Sequence, residues 1–412
     1  MMEERVGRRR FLAALSAGVV GSAGGCLELQ SPGEATAADT GGQTPATTRE
    51  RATSTGTPTA STESTGADWP SHRRGPRNSA SVPEAAGPQS KPTVLGRLET
   101  DEARLDSAAV VDGTVYAADD NGGVRAFDAA SGRQRWHTSG TDTIFRTPAV
   151  ANGTVVVGAG NAGVRALDAE TGTERWSWSV GERVTSSPTI ADGVVYAGRE
   201  TVAALSLDSG QVQWRHQFER ATGTPAVSGR TVVVPTGEGA LVGFDRTTGR
   251  RQFRYTTVAR VLRRVAIVAR SAYVAASDGR LHAVHLDTGK QRWAATVIEL
   301  SEGRNALPYW PTDAGETLVT GGGIERDDVT FVGLDMADGS TRWTWSPDAI
   351  ASAPVVAGST VYVNLQGRLT ARSAADGSER WTTEQRRIPP ELSLAGGRLY
   401  AAGGSIQVLG TE

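Results

Sequence analysis

From about Thr93 to the C-terminus the chain is written in short apolar runs broken by polar turns. "TPAVANGTVVVGAG" (147–160), "SPTIADGVVYAG" (187–198) and "APVVAGSTVYVN" (353–364) share one layout. Each run is too short for a helix, rich in Val, Ala, Thr and Tyr, and carries no 3.6-residue period, so it reads as strand. Asp112-Gly113, Asn152-Gly153 and Asp192-Gly193 divide the runs in pairs. Asx-Gly between two such runs is a strong hairpin signal, because both residues tolerate positive φ. These runs are the first two strands of a unit, A and B. A third, as in "VRAL" at Val164, and a fourth, carrying a tryptophan, complete it as C and D.

The unit repeats at intervals of about 40 residues, the signature of a stacked or radial array. Its clearest phrase joins strands C and D. "VRAFDAASGRQRW" (124–136) is followed by "VRALDAETGTERW" (164–176), and the pattern returns five more times. The positions are Asp128, Gly132 and Trp136; Asp168, Gly172 and Trp176; then Gly210 with Trp214, Asp245 with Gly249, and Gly289 with Trp293. Asp335, Gly339 and Trp343 follow, and Gly377 with Trp381 closes the series. The aspartate is suited to accept turn N–H groups and the glycine to take the left-handed conformation, so both are assigned to turn chemistry, and the tryptophan to packing between units. Ser206, His285 and Ser373 replace the aspartate and Phe253 the tryptophan; those units should lose a bond yet fold.

Four antiparallel strands per unit without helices make a propeller blade. The phrase resembles the tryptophan-docking motif of the PQQ-like (quinoprotein) propeller repeat, and the resemblance covers about Trp69 to Glu412. Seven phrases do not close the ring. "LSLAGGRLYAAGGSIQVL" (392–409) supplies three strands of an eighth unit, and "TVLGRLET" (93–100) is a spare strand at the other end. Pairing the two would leave no open edge. The expected fold is therefore all-β, an eight-bladed propeller closed by its termini. "DWPSHRRGPRNSA" (68–80) resembles the lead-in to such propellers, with Trp69 expected against the rim.

The first residues follow other rules. Arg8-Arg9-Arg10-Phe11-Leu12 resembles a twin-arginine export signal, and the short apolar stretch after it has a signal-peptide layout. Ala23-Gly24-Gly25-Cys26 resembles a lipobox with alanine in place of the usual leucine. A plain signal peptide with an incidental cysteine is the alternative. The expected division is a signal peptide over 1–25, a tether over 26–67 lipidated at Cys26, and the propeller over 68–412. The tether is Thr, Ser, Gly, Ala and Pro, too polar to build a core. Its span would be about 35 Å root-mean-square. Export, anchoring on the outer face of the cytoplasmic membrane and a monomeric state are the expectations. Asn152-Gly153-Thr154 matches a glycosylation sequon.

Composition narrows the chemistry. The net charge is −2 across 412 residues, so no basic field for nucleic acid exists. Cys26 is the sole cysteine, which excludes an internal disulfide and a thiolate metal cluster. His282 and His285 lie three apart on a strand, hence on opposite faces, so a shared metal is not expected.

In a propeller the A–B and C–D turns share one face. The D–A crossovers and B–C loops share the other. The first face here has minimal turns. The second carries longer segments, "VIELSEGRNALPYW" (297–310) and "GGGIERDD" (321–328), and many arginines. The candidate binding residues are Arg146, Arg183, Arg263, Arg264, Arg304, Arg387, Tyr309 and Trp310, with Arg263 and Arg264 placed in the crossover entering blade five. They read either as a solvated mixed-charge rim or as an anion or acidic-peptide site. The leading functional expectation is a noncatalytic interaction or scaffold propeller bound to an extracytoplasmic protein, similar in architecture to the propeller lipoprotein of the outer-membrane assembly machinery. A sensor of a small anionic ligand is the second. A PQQ-dependent dehydrogenase is the third. The resemblance implies that such an enzyme would carry an adjacent cysteine pair and a calcium site, and the pair is missing from this sequence; no cofactor, metal or catalytic residue is expected.

Overall fold

A computed structural model describes residues 68–82, 87–100, 103–140, 146–179, 181–257, 259–300, 307–323, 329–384 and 387–411, without the side chains of 261–263 and 307–308. Cys26, Arg8, Arg9 and Arg304, and the tether and signal, lie outside these residues. The described residues form eight sheets, antiparallel but for one short added strand in blade seven. Blade one is typical, with Leu105–Val111, Thr114–Asp119, Val124–Asp128 and Gln134–Thr138 in order from axis to rim. Blades two to seven follow in sequence. Their inner strands begin at Ala149, Thr189, Ala226, Val261, Thr312 and Val355. Blade eight combines Glu391–Ala395, Arg398–Ala402 and Ile406–Gly410 with Thr93–Leu98 as its outer strand. Thr93 pairs with Gly410 and Leu98 with Ile406, antiparallel. The β-propeller is thus closed by strand exchange between its ends, and no blade edge is left open around the ring.

The local chemistry explains why the phrase repeats. Asp112, Asn152 and Asp192 have φ of 47°, 48° and 45°, as the A–B hairpins require. In the C–D turn Asp168 accepts from the backbone N–H groups of Glu170 and Thr171. The Arg175 guanidinium binds its other oxygen at 2.7 Å. Led by that arginine, these partners hold the carboxyl down at about 2. Arg135 with Asp128 and Arg342 with Asp335 repeat the ion pair, each at 2.6 Å. Strand pairing slips one residue beside Trp136, Trp176 and Trp343. Such a bulge re-aims the side chains around it.

The tryptophan then docks on the next blade. Trp136 donates to the Ala169 carbonyl at 2.9 Å, Trp176 to Leu207 at 2.7 Å, and Trp343 to Ala374 at 2.9 Å. Trp381 donates to Gln89, on the segment that leads into the exchanged strand, at 3.2 Å. The motif glycine has a second duty beyond its turn. At Gly172, whose φ is 76°, a Cβ would stand 2.7 Å from the Trp136 ring. The bare glycine is the surface on which the neighbouring indole lies. At Phe253 the indole bond is lost, as expected, and Tyr255 two residues later reaches blade five instead. Its hydroxyl lies 2.7 Å from Gln291 Oε1 and 2.9 Å from His282 Nδ1.

The lead-in segment departs from expectation. Trp69 does not sit against the rim; it is 2% exposed inside the axial channel, paired antiparallel with Val110 on the inner strand of blade one. From there residues 68–82 pass around the channel wall. Inner strands are sheet edges with a free row of N–H groups, and the segment satisfies them radially. Val150 donates to Pro70 (2.8 Å), Val227 to Pro76 (2.7 Å), Ile267 to Arg77 (2.8 Å), Asp313 to Ser79 (3.1 Å) and Val356 to Ala80 (3.0 Å). Ser81–Val82 then runs parallel to the inner strand of blade seven. Asp68 and Val82 both meet A–B turns, through bonds from Asp112 and Gly358. The segment is a plug inserted from the turn face, with its apex at His72–Arg74. Arg73, Arg74, Asn78 and Ala80 have φ of 54°, 76°, 54° and 49°. Such backbone persists only where its surroundings dictate it.

Candidate functional site

Above the plug the channel widens into a cavity of about 960 Å³ that opens on the crossover face. Its floor is the plug apex. Arg73 is 6% exposed, and its guanidinium donates to the carbonyls of Pro354 (3.2 Å) and Pro311 (3.3 Å) and to Thr312 Oγ1. Burial lowers its pKa to about 9. The Trp310 ring lies 5.9 Å from this guanidinium and 5.0 Å, edge-on, from the His72 ring. Burial first, then the charges of Arg73, Arg146 and Arg264, push His72 down to about 3. At neutral pH it is an uncharged wall.

The walls come from the starts of the inner strands and the crossovers before them. Arg104, Arg146 and Arg264 line the funnel together with Arg73, against the carboxylates of Asp106 and Glu391. Arg146 donates to the Thr185 carbonyl at 3.2 Å, which braces it along the rim. Burial lowers the pKa of Arg264. It raises that of Glu391, against the pull of Arg73, Arg146 and Arg264. Glu391 is nonetheless open to the funnel, so water in the mouth moderates its shift. Thr147, Thr185, Ser186, Thr222 and Thr224 add a belt of hydroxyl and backbone groups. Tyr309 donates to the Ala351 carbonyl at 2.6 Å, tying blade six to blade seven at the mouth.

Of the sequence candidates, Arg146, Arg264, Tyr309 and Trp310 meet here. Arg183 and Arg387 are exposed and lie outside the lining. Arg263 and Arg264 are not in the crossover but on the inner strand Val261–Val268, because the chain enters the sheet earlier than the apolar pattern alone suggests. Arg264 reaches the funnel; the Arg263 side chain and Arg304 are outside the described residues. Sequence reasoning missed Arg73 and His72. The signal was present as His72-Arg73-Arg74 in a Gly- and Pro-bounded stretch, but nothing local places that stretch on the axis. Among the described residues no group of three or more His, Cys, Asp or Glu side chains gathers to hold a metal.

Four overlapping matches to the PQQ_2 family, described as outer membrane protein assembly factor BamB, span residues 93–224, 120–267, 178–383 and 299–412. The chain belongs to this family. Solved structures agree on the BamB-type fold. BamB from Moraxella catarrhalis is 20% identical, over 78% of this chain and 98% of that one, with a TM-score of 0.63. The computationally designed Ika8 protein is 15% identical over 78% and 100%, at 0.67. Quinohemoprotein alcohol dehydrogenase from Comamonas testosteroni is 14% identical over 84% and 81%, also at 0.67. At these identities the structural likeness speaks for the propeller alone. No curated protein matches the chain by sequence at a significant level.

Proposed function

We propose that this BamB-family propeller is a noncatalytic protein-interaction module, exported and anchored through Cys26 at the outer face of the cytoplasmic membrane, with the crossover face as its binding surface. One observation carries the reading of the face. Tight hairpins cover one side of the ring, whereas the other opens into a funnel lined by four arginines and closed at its floor by the plug. Arginine and aromatic side chains in a recess are the usual energetic anchors of interfaces.

The dehydrogenase alternative would need a quinone with calcium in the same funnel. The guanidinium groups suit the carboxylates of a quinone. The acidic set does not suit the ion: Asp106 and Glu391 are the carboxylates of the lining, and calcium takes six to eight oxygen ligands. The test of the proposal is photo-crosslinking in cells, from Arg146 and Tyr309 on the crossover face and from Glu170 and Ala337 in C–D turns. Crosslinks to one discrete protein from the first pair support it. Crosslinks from the turn pair alone would overturn the face. Calorimetric binding of quinone plus calcium, abolished by Arg264→Ala, would overturn the noncatalytic reading.

A further inference from the structure

We infer that the funnel receives an acidic, extended segment of the partner protein, gripped by Arg146 and Arg264 and laid against Trp310. The inference rests on the crossover face being the binding surface and names what enters it. Four guanidinium groups face two carboxylates in the lining, and His72 adds no positive charge to be screened and no negative charge to compensate. The cavity therefore has an excess of positive charge, carried on planar guanidinium groups of the kind that match carboxylates bidentately. These donors arrive from different parts of the ring. Arg146 comes from the crossover into blade two and Arg264 from the inner strand of blade five, while Arg73, its N–H groups committed to Pro354, Pro311 and Thr312, adds charge from the floor. A carboxylate-bearing group between them is held from several sides.

Shape separates a peptide from a small anion. Small-molecule sites are mostly apolar pockets of about 300–1,000 Å³ that bury most of their ligand. This funnel, about 960 Å³, stands at the top of that range, is open along its mouth, and mixes guanidinium and hydroxyl groups with apolar side chains such as Val355, Pro390 and Leu392. A single polycarboxylate would leave most of it filled with water. An extended segment can place two or three acidic side chains on the arginines while its own amides meet the threonine belt. The closed floor means that the segment enters and leaves, or ends, at one mouth. Trp310, braced by His72 and Arg73, offers a flat apolar face in the lining.

The probe is a fluorescein-labelled hexaglutamate peptide with blocked ends, titrated into the purified chain and followed by anisotropy. Saturable binding is expected. It should weaken at least tenfold in the Arg146→Ala, Arg264→Ala pair, remain in Arg183→Ala, and weaken steeply as salt rises and screens the charges. If the alanine pair fails to fold, Arg146→Lys with Arg264→Lys keeps the charge without the fork; unchanged affinity there overturns the bidentate grip. Citrate that competes with an affinity equal to the peptide's overturns the extended segment in favour of a small polycarboxylate. Peptide binding that survives in the alanine pair removes it from the funnel. No binding, with crosslinks from Arg146 and Tyr309 intact, sinks this inference alone. Funnel binding with crosslinks only from the turn face sinks the functional proposal instead.

Discussion

His72 offers a test of the plug that reads out without any ligand. Its ring stands edge-on to Trp310 at 5.0 Å at the funnel floor. Burial and three neighbouring guanidinium groups take its pKa from the ordinary 6.5 to about 3. In the unfolded chain the same imidazole titrates near 6.5. Between those values the unfolded state binds the extra proton, so stability rises with pH through the window and is lost on acidification below about 6.5. Each unit is worth about 1.36 kcal/mol. At pH 4.5 two of these units are in play, about 2.7 kcal/mol, and solvent reaching the half-buried ring through the mouth trims this to about 1–2 kcal/mol. The assay compares denaturant midpoints of the wild type and His72→Asn at pH 7.5 and 4.5. The wild type should lose more on acidification, because only it carries the imidazole. A ring of eight blades need not unfold in one step, so the ring C–H resonances, assigned by difference with the variant, decide the pKa directly. A His72 midpoint near 6.5, or equal acid sensitivity in both proteins, would refute the buried floor.

The remaining predictions concern the frame. Trp176→Phe keeps the packed ring but strips the bond to Leu207, and should cost about 1 kcal/mol, whereas Trp176→Ala should cost about 3–5 kcal/mol; chemical denaturation separates them, and equal losses would deny the indole bond its role. Gly210→Ala should destabilise although it adds only a methyl, because a Cβ there stands 2.7 Å from the Trp176 ring; a neutral result in the same assay would argue against the ring's seat. Trp69→Ala should raise amide exchange at Val150, Val227, Ile267 and Val356 together, since all four donate to the plug; exchange confined to blade one would show that the segment is not one unit. Cys26→Ala should release the protein from membranes with the propeller still folded, and unchanged retention on fractionation would remove the lipid anchor.

Much of the frame can be read from the chain because it is built of local rules repeated. Asp112-Gly113 or Asp168 through Gly172 specify their turns through φ preferences and short-range bonds, whatever lies elsewhere. The count of eight follows from an incomplete last unit and a spare strand at Thr93, since an open edge is costly wherever it falls. The crossover face was legible from loop lengths, and Arg146, Tyr309 and Trp310 with it. The second duty of the motif glycine was not. Gly172 meets Trp136 of the preceding blade, and no spacing within one repeat reveals a contact between two.

The plug shows the limit most clearly. Residues 68–82 carry no strand pattern and no alternation, so by themselves they read as a leader. Only a closed ring creates a channel whose inner edges present an N–H group from blade after blade, and only there can the carbonyls of Pro70, Pro76, Arg77, Ser79 and Ala80 each find a donor. Arg73 becomes a buried cation, and His72 a neutral one-time base, because those bonds hold the apex beneath the funnel. Sequence determined the blades, their number and the face that opens. Tertiary structure alone decided what floors the opening, since that floor is bonded to residues as distant as Pro354, 281 positions beyond Arg73, and bonds between segments so far apart leave no mark on either one.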